Sequence, residues 1–187
     1  VFCNYGTILI SLNKLKEAEI YLRKAIAIKA GFAEAYSNLG GILLDLGKLN
    51  EAKTWCMKAI ETKPNLGQAH SNLGGAFLGL GQLKEAEKSL RKAIELNPYD
   101  AISYSNLGAI LLDLGKLHEA LLYTRKAIEI NPLYYNSHLN LGQILKDLGR
   151  NKETFDTYLH LIEIDQNVSK VYALMTEFLK ESQNLSE

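Results

Sequence analysis

The sequence predicts an all-α fold, a solenoid of antiparallel helix pairs with five pairs and one further C-terminal helix. The 187-residue chain repeats every 34 residues without insertion or deletion. Each repeat holds two apolar stretches of helical spacing, separated by a glycine or asparagine. We call the two predicted helices of a repeat A and B. Repeat position 1 is taken by Ala33, Gly67, Ala101, Tyr135 and Ser169.

These leading residues divide the chain into repeat units 1–32, 33–66, 67–100, 101–134 and 135–168, followed by a terminal helix at 169–181. We treat residues 1–187 as a single domain, because neighbouring repeats bury one another's apolar faces. The first unit opens at repeat position 3, which leads us to expect a fragment of a longer protein.

The A helix is predicted from apolar residues that share one face. In the fourth unit these are Tyr104, Leu107 and Leu111, at spacings of three and four, and the stretch ends at Gly115. Glycine there permits the left-handed residue that commonly ends a helix, and asparagine is the next best choice. The predicted helix ends are Asn13, Gly47, Gly81, Gly115 and Gly149.

The B helix of the same unit is predicted to begin near Leu117. Glu119 lies in its first turn, where the helix dipole favours a negative charge, and Asn131-Pro132 ends it. The same acidic position recurs in the other units as Glu17, Glu51, Glu85 and Glu153.

A second set of glycines falls inside the A helices, where glycine costs about 1 kcal/mol relative to alanine. We expect close packing against the B helix to repay that cost. The glycines are Gly6, Gly40, Gly74, Gly108 and Gly142, expected to face the small Ala18, Ala52, Ala86 and Ala120.

Composition excludes several function classes. Lys plus Arg equals Asp plus Glu at 21 each, so no net charge attracts nucleic acid or an anionic membrane. No apolar run approaches the roughly 20 residues that span a bilayer. The two cysteines, Cys3 and Cys56, occupy different repeat positions, so no disulfide framework is indicated. We expect a soluble protein in a reducing, cytoplasmic compartment.

No catalytic, metal or cofactor site is expected. The four histidines never stand four residues apart, and His70 and His138 share repeat position 4 with Tyr36 and Tyr104, which indicates helix packing. Cys56 shares the position of Leu22 and Leu90, which favours an inert buried thiol.

The pattern aromatic-x-x-Leu-Gly, then Ala, a larger residue, Ala and Pro resembles the tetratricopeptide repeat. In the second unit its residues are Tyr36, Leu39, Gly40, Leu43, Ala52, Cys56, Ala59 and Pro64. The resemblance covers essentially the whole chain. It implies a right-handed superhelix whose concave groove is lined by the A helices, and a function in protein–protein interaction.

Repeat position 6 of the A helix is asparagine in all five units, a row that is similar to the asparagine ladder of the O-linked N-acetylglucosamine transferase repeats. An amide side chain offers a donor and an acceptor to an extended peptide backbone. It could equally bond to the neighbouring unit. The candidate groove residues are Asn4, Asn38, Asn72, Asn106, Asn140, Ser37, Ser71, Ser105, Leu44, Leu78 and Leu112.

Three functions remain open from the sequence. The first is a non-catalytic scaffold that binds an extended peptide or a partner helix in the groove; it has no cationic clamp for a C-terminal carboxylate. The second is the recognition arm of a larger enzyme, such as a glycosyltransferase. The third is self-association, as a dimer or end to end, through an uncovered apolar stripe on the terminal helix formed by Tyr172, Met175 and Leu179.

Overall fold

The computed structural model describes residues 2–28, 31–164 and 169–184. Within these ranges it contains eleven α-helices and no strand, so the predicted all-α fold of five helix pairs and a terminal helix is confirmed. The helices are α1 (Phe2–Ser11), α2 (Leu15–Ile28), α3 (Ala33–Asp45), α4 (Leu49–Thr62), α5 (Gly67–Gly79), α6 (Leu83–Leu96), α7 (Ala101–Asp113), α8 (Leu117–Ile130), α9 (Tyr135–Asp147), α10 (Asn151–Ile164) and α11 (Ser169–Asn184). No helix in the described ranges is both long and apolar enough to cross a membrane.

The A helices end as the glycine pattern predicts. Gly47 has φ 72°, and Asn13 is the only described non-glycine residue with a positive φ, at 56°. At the end of α3, Gly47 donates its N–H to the Leu44 carbonyl at 2.9 Å and Lys48 donates to the Leu43 carbonyl at 2.8 Å. This pair of bonds is the Schellman motif, which satisfies carbonyls that the helix leaves without partners. The left-handed residue then turns the chain into the B helix.

The glycines inside the A helices lie where the B helix crosses. A methyl group on Gly74 would lie 2.5 Å from Leu90 Cγ, and one on Gly40 would overlap the Cys56 sulfur. Two of the expected alanines do contact these glycines, through their backbone: the carbonyl oxygens of Ala18 and Ala52 would lie 3.7 and 3.4 Å from methyl groups on Gly6 and Gly40. The closest side chains come instead from repeat position 24: Leu22, Cys56, Leu90, Thr124 and Tyr158.

The chain divides into two compact units, each larger than one 34-residue repeat: Val1–Asn106 and Leu107–Glu187. From here on, unit 1 and unit 2 mean these two parts of the chain, and each 34-residue segment is called a repeat. In unit 1 the apolar core joins A and B helices of successive repeats, and Leu9, Leu22, Leu39 and Leu43 are buried within it. The A helices of unit 1 also contact one another, α1 with α3 and α3 with α5. Their common surface is the A-helix face of unit 1.

In unit 2 one core cluster joins the last two helices. Tyr158 and Leu161 of α10 pack with Val171 and Phe178 of α11, and all four are buried. The Tyr158 and Phe178 rings meet edge to face, with centroids 6.3 Å apart. The terminal helix is therefore anchored to the fifth pair by one of its faces.

Candidate peptide-binding face

The asparagines of repeat position 6 lie on the A helices, with different degrees of exposure. In unit 1, Asn4 is exposed, whereas Asn38, Asn72 and Asn106 are half-buried. Asn140 is half-buried on α9 of unit 2. Four asparagines of the proposed ladder thus belong to unit 1.

Asn72 has the best-defined hydrogen bonds of the row. Its Nδ2 donates to the backbone carbonyl of Ser37 at 2.9 Å, which ties α5 to α3. Its Oδ1 accepts from Nε2 of Gln68 at 2.9 Å. The side chain is held in one orientation by two bonds, which leave one N–H and one acceptor lone pair of the amide outside them.

The neighbouring asparagines are held less firmly. Nδ2 of Asn38 lies 3.5 Å from the Thr7 hydroxyl, at the limit of a hydrogen bond. Nδ2 of Asn106 lies beside Gly75, 3.9 Å from where a methyl group on that glycine would be. The bond to the preceding repeat is therefore well formed at Asn72 and long at Asn38.

Sequence reasoning missed two glycines at repeat position 9. A methyl group on Gly41 would lie 3.0 Å from Nδ2 of Asn72, and one on Gly75 would lie 2.8 Å from Cδ2 of Leu44. These glycines leave room for side chains of the adjacent repeats. The Gly-Gly pairs at 40–41 and 74–75 were the sequence signal that could have revealed them. The first glycine of each pair is explained by the crossing with the B helix, so the second requires another close contact.

The serines of repeat position 5 do not line the face. Ser37, Ser71 and Ser105 have exposures of only 1%, 2% and 1%. The Ser71 hydroxyl accepts a hydrogen bond from the Ser103 hydroxyl at 2.9 Å. Their prediction as peptide-contacting residues is wrong, because one residue before the asparagines the helix surface already points into the packing between helices.

The leucines of repeat position 12 remain candidates for apolar contact. Leu44 and Leu78 of unit 1 are half-buried, as is Leu112 of unit 2. A half-buried leucine keeps apolar surface that a bound side chain can cover. In unit 1 the face therefore combines amide groups with partly accessible leucines.

His70, His138 and the second cysteine serve packing. Nε2 of His70 is hydrogen-bonded to the Pro64 carbonyl at 2.8 Å. Nε2 of His138 is hydrogen-bonded to the Pro132 carbonyl at 2.7 Å. Cys56 is fully buried, and burial raises the pKa of its thiol to about 12. A thiol with that pKa stays protonated and unreactive at neutral pH. Within the described ranges, no group of three or more His, Cys, Asp or Glu side chains is placed to hold a metal ion.

Family profiles match nearly the full length of the chain. A profile described as Tetratricopeptide repeat matches residues 31–98 and 65–132. A second profile of the same description matches residues 1–32 and 135–168. The chain belongs to the tetratricopeptide repeat family. Tetratricopeptide proteins typically mediate protein–protein interactions, and their fold is generally a non-catalytic scaffold.

Solved structures of tetratricopeptide proteins share this fold. TTC0263, a thermophilic TPR protein of Thermus thermophilus, is 20% identical with a TM-score of 0.77, covering 95% of this chain and 97% of that one. YrrB, described as a TPR protein with an unusual peptide-binding site, is 24% identical with a TM-score of 0.67, covering 94% and 90%. A chain of the Cut9–Hcn1 complex of the APC/C reaches a TM-score of 0.89 at 17% identity, covering 97% of this chain and 36% of that one. A comparison with curated proteins finds no match.

The terminal helix of this tetratricopeptide chain has two apolar faces. Met175, predicted to lie uncovered, instead packs against the cluster that α10 and α11 share. Tyr172 and Leu179 are 54% and 42% exposed. Leu179 holds the repeat position of Leu145, which is only 2% exposed. Tyr172 holds the repeat position of Tyr36, whose ring packs against Trp55 of the B helix α4.

Proposed function

We propose that this chain is a non-catalytic interaction scaffold that binds an extended peptide across the A-helix face of unit 1. The observation that supports it is the orientation of Asn72, whose amide is fixed by Ser37 and Gln68. A side chain already held in place loses little conformational entropy when it bonds a ligand. Asn38 and Asn106 flank it in the same row and complete a path for a peptide backbone.

Amide bonds alone would give weak binding. Each hydrogen bond contributes about 0.5–1.5 kcal/mol, and ordering a flexible peptide consumes part of that sum. Leu44 and Leu78 supply the apolar surface that strengthens the contact. We therefore expect a ligand with apolar side chains on one edge and little dependence on the identity of the others. A partner helix lacks free backbone amides and would use the leucines alone.

The test uses short random peptides selected by phage display on the immobilised chain. A selected peptide is then synthesised with a fluorescent label, and its binding is measured by anisotropy. The double variant Asn38→Ala/Asn106→Ala spares the Asn72 bond to Ser37, so helicity and thermal stability should stay close to wild type. We expect its affinity for the peptide to fall about tenfold, the equivalent of 1.4 kcal/mol.

The matched control is Asn50→Ala, because Asn50 lies on the B helix α4, away from the A-helix face. Its affinity should equal that of the wild type. A second arm replaces the peptide by one with methylated backbone nitrogens, which should bind more weakly if the ladder reads the backbone. Unchanged affinity of the double variant for the selected peptides would refute the ladder.

Self-association through α11 is a second candidate function. It is favoured by the exposed Tyr172 and Leu179, because Leu145, at the repeat position of Leu179, is buried within the solenoid. A second copy of the chain could cover the same surface. We expect light scattering to show a dimer or larger species whose fraction rises with concentration.

The variant for this test is Tyr172→Lys/Leu179→Lys, which leaves Met175 and its core contacts intact. It should be monomeric at every concentration. Leu122→Lys is the control, since Leu122 is 68% exposed on α8 and lies outside this surface. A wild-type chain that is monomeric throughout, or a double variant that assembles as well as the control, would contradict self-association.

A further inference from the structure

A cavity of about 610 Å³ lies in unit 1 between the B helices α4 and α6, with α5 beneath it. Its walls include Met57 and Ile60 from α4, Leu73 and Phe77 from α5, and Ser89 from α6. Four of these five side chains are apolar, and His70 and six charged side chains complete the lining. The asparagine ladder contributes no residue to this cavity, so it is a different site from the A-helix face.

The cavity exists because of one small residue. Ser89 occupies repeat position 23, which is tyrosine or tryptophan in three other repeats: Tyr21, Trp55 and Tyr123. In the second repeat the Trp55 ring packs against the Tyr36 ring, with centroids 5.5 Å apart, and joins the apolar core. In the third repeat a serine hydroxyl stands in place of that indole, and no ring fills the space.

Part of the surroundings of Trp55 is repeated around Ser89, although His70 takes the place of Tyr36 there. The indole of Trp55 has the Lys58 ammonium 4.5 Å from its ring centroid. Lys92 stands one repeat after Lys58, and it lines the cavity. Likewise Ile60 of the wall stands one repeat after Ile26, which packs in the core that Trp55 joins. A lysine and an isoleucine that surround the ring in the second repeat thus have counterparts in the third, where position 23 carries no ring.

We infer that this cavity is a docking site for an uncharged aromatic side chain, an indole or a phenol, of a partner protein. Its volume falls within the roughly 300–1,000 Å³ range of ligand sites. The wall is apolar, and an ammonium beside the ring attracts its face. We assign the ring to a protein because the family acts in protein–protein interaction.

The charges around the opening favour a neutral occupant. Three cationic and three anionic side chains border the cavity, and Lys92 forms an ion pair of 2.6 Å with Glu95. A charged ligand would gain attraction from one set and repulsion from the other. The bordering groups are Lys88, Arg91, Lys92, Glu61, Glu85 and Glu95.

The test follows methionine methyl groups by NMR. The chain has two methionines; Met57 lines the cavity and Met175 lies on α11. The probe is N-acetyl-L-tryptophanamide, titrated into protein with ¹³C-labelled methionine methyls. We expect the Met57 signal to move through the ring current of the bound indole, while the Met175 signal stays. An unmoved Met57 signal, or equal movement of both, would overturn the inference.

Three substitutions at residue 89 test whether the probe needs the empty space that the small serine leaves. Ser89→Trp fills the cavity with the ring that Trp55 provides in the second repeat, so binding of the probe should be lost. Ser89→Ala keeps the space, and binding should persist. Ser89→Tyr is the second filling variant, in case the larger indole disturbs folding, and circular dichroism checks the helix content of each. Binding that survives in a folded filled variant would overturn the site.

Four further probes test the kind of ligand: N-acetyl-L-leucinamide, two tripeptides and free indole. N-acetyl-L-leucinamide should move the Met57 signal less than the tryptophan amide, and an equal effect would overturn the preference for aromatic rings. The tripeptide Ala-Trp-Ala should bind and Ala-Ala-Ala should not. Binding of free indole without binding of Ala-Trp-Ala would overturn the assignment to a partner protein and indicate a small aromatic molecule.

Discussion

Nδ2 of Asn72 donates a hydrogen bond to the backbone carbonyl of Ser37, 2.9 Å away in the preceding A helix. This bond joins two repeats through a residue that the repeat pattern also marks as a ligand contact. The interpretation of the row as a contact between repeats is therefore confirmed at Asn72. The amide uses one N–H for the neighbouring repeat, and its second N–H lies outside this bond.

Replacing Asn72 should weaken the junction between repeats. Asn72→Ala removes the bond to Ser37 and is expected to lower the free energy of unfolding by about 1 kcal/mol. Urea denaturation followed by circular dichroism measures this. Asn50→Ala, on the B helix α4, should change stability by less than half as much. Equal losses in the two variants would show that the bond contributes nothing.

The contact of Gly40 with Cys56 should be visible as coupling. A methyl group on Gly40 would overlap the Cys56 sulfur, so Gly40→Ala is expected to cost about 1–3 kcal/mol despite the better helix propensity of alanine. In Gly40→Ala/Cys56→Ala the sulfur is gone, and the two losses should sum to more than the loss of the double variant. Strict additivity in this double-mutant cycle would contradict the predicted contact.

Ser37 and Ser71 offer a matched pair of buried hydroxyls. Among the described residues the Ser37 hydroxyl has no hydrogen-bond partner, whereas the Ser71 hydroxyl accepts from Ser103. Ser37→Ala should therefore be neutral or stabilising, and Ser71→Ala should cost about 1 kcal/mol. Thermal denaturation of the two variants side by side decides it. A larger loss of stability in Ser37→Ala than in Ser71→Ala would contradict the assignment of the hydrogen bond to Ser71.

Two substitutions at the left-handed helix ends should change stability in opposite directions. Gly47 has φ 72°, so Gly47→Ala places a Cβ in a strained conformation and should cost about 1 kcal/mol. Asn13 has φ 56°, and Asn13→Gly relieves the same strain, so it should be neutral or slightly stabilising. Urea midpoints measure both. Stabilisation by Gly47→Ala would contradict the assigned backbone geometry.

His138 should make stability depend on pH. Burial lowers the pKa of His138 below its usual value, and the nearby His160 ring, 5.0 Å away, adds to the effect. The unfolded chain then takes up the proton first as pH falls, so stability is full above about pH 6.5 and declines below it. His138→Tyr places there the residue found at Tyr36 and Tyr104. Denaturation between about pH 7.5 and 5.5 should show a smaller decline in that variant.

Local chemistry let the sequence determine most of the fold. The period, the helix pairs and the left-handed ends at Asn13, Gly47, Gly81, Gly115 and Gly149 were all predicted correctly. Each depends on residues within a few positions of one another, such as a helical stripe followed by a glycine. The inert character of Cys56 was also predicted, because its repeat position is leucine elsewhere.

Only the tertiary structure decided which side chains meet across the helices. It placed the side chains of position 24 closest to the glycines, buried the serines beside the asparagine row, and gave the Asn72 amide its bond to Ser37. It also showed the cavity that Ser89 leaves between α4 and α6. These contacts depend on the point and angle at which two helices cross, which are set by packing between residues far apart in the chain and are not encoded in the period of either helix.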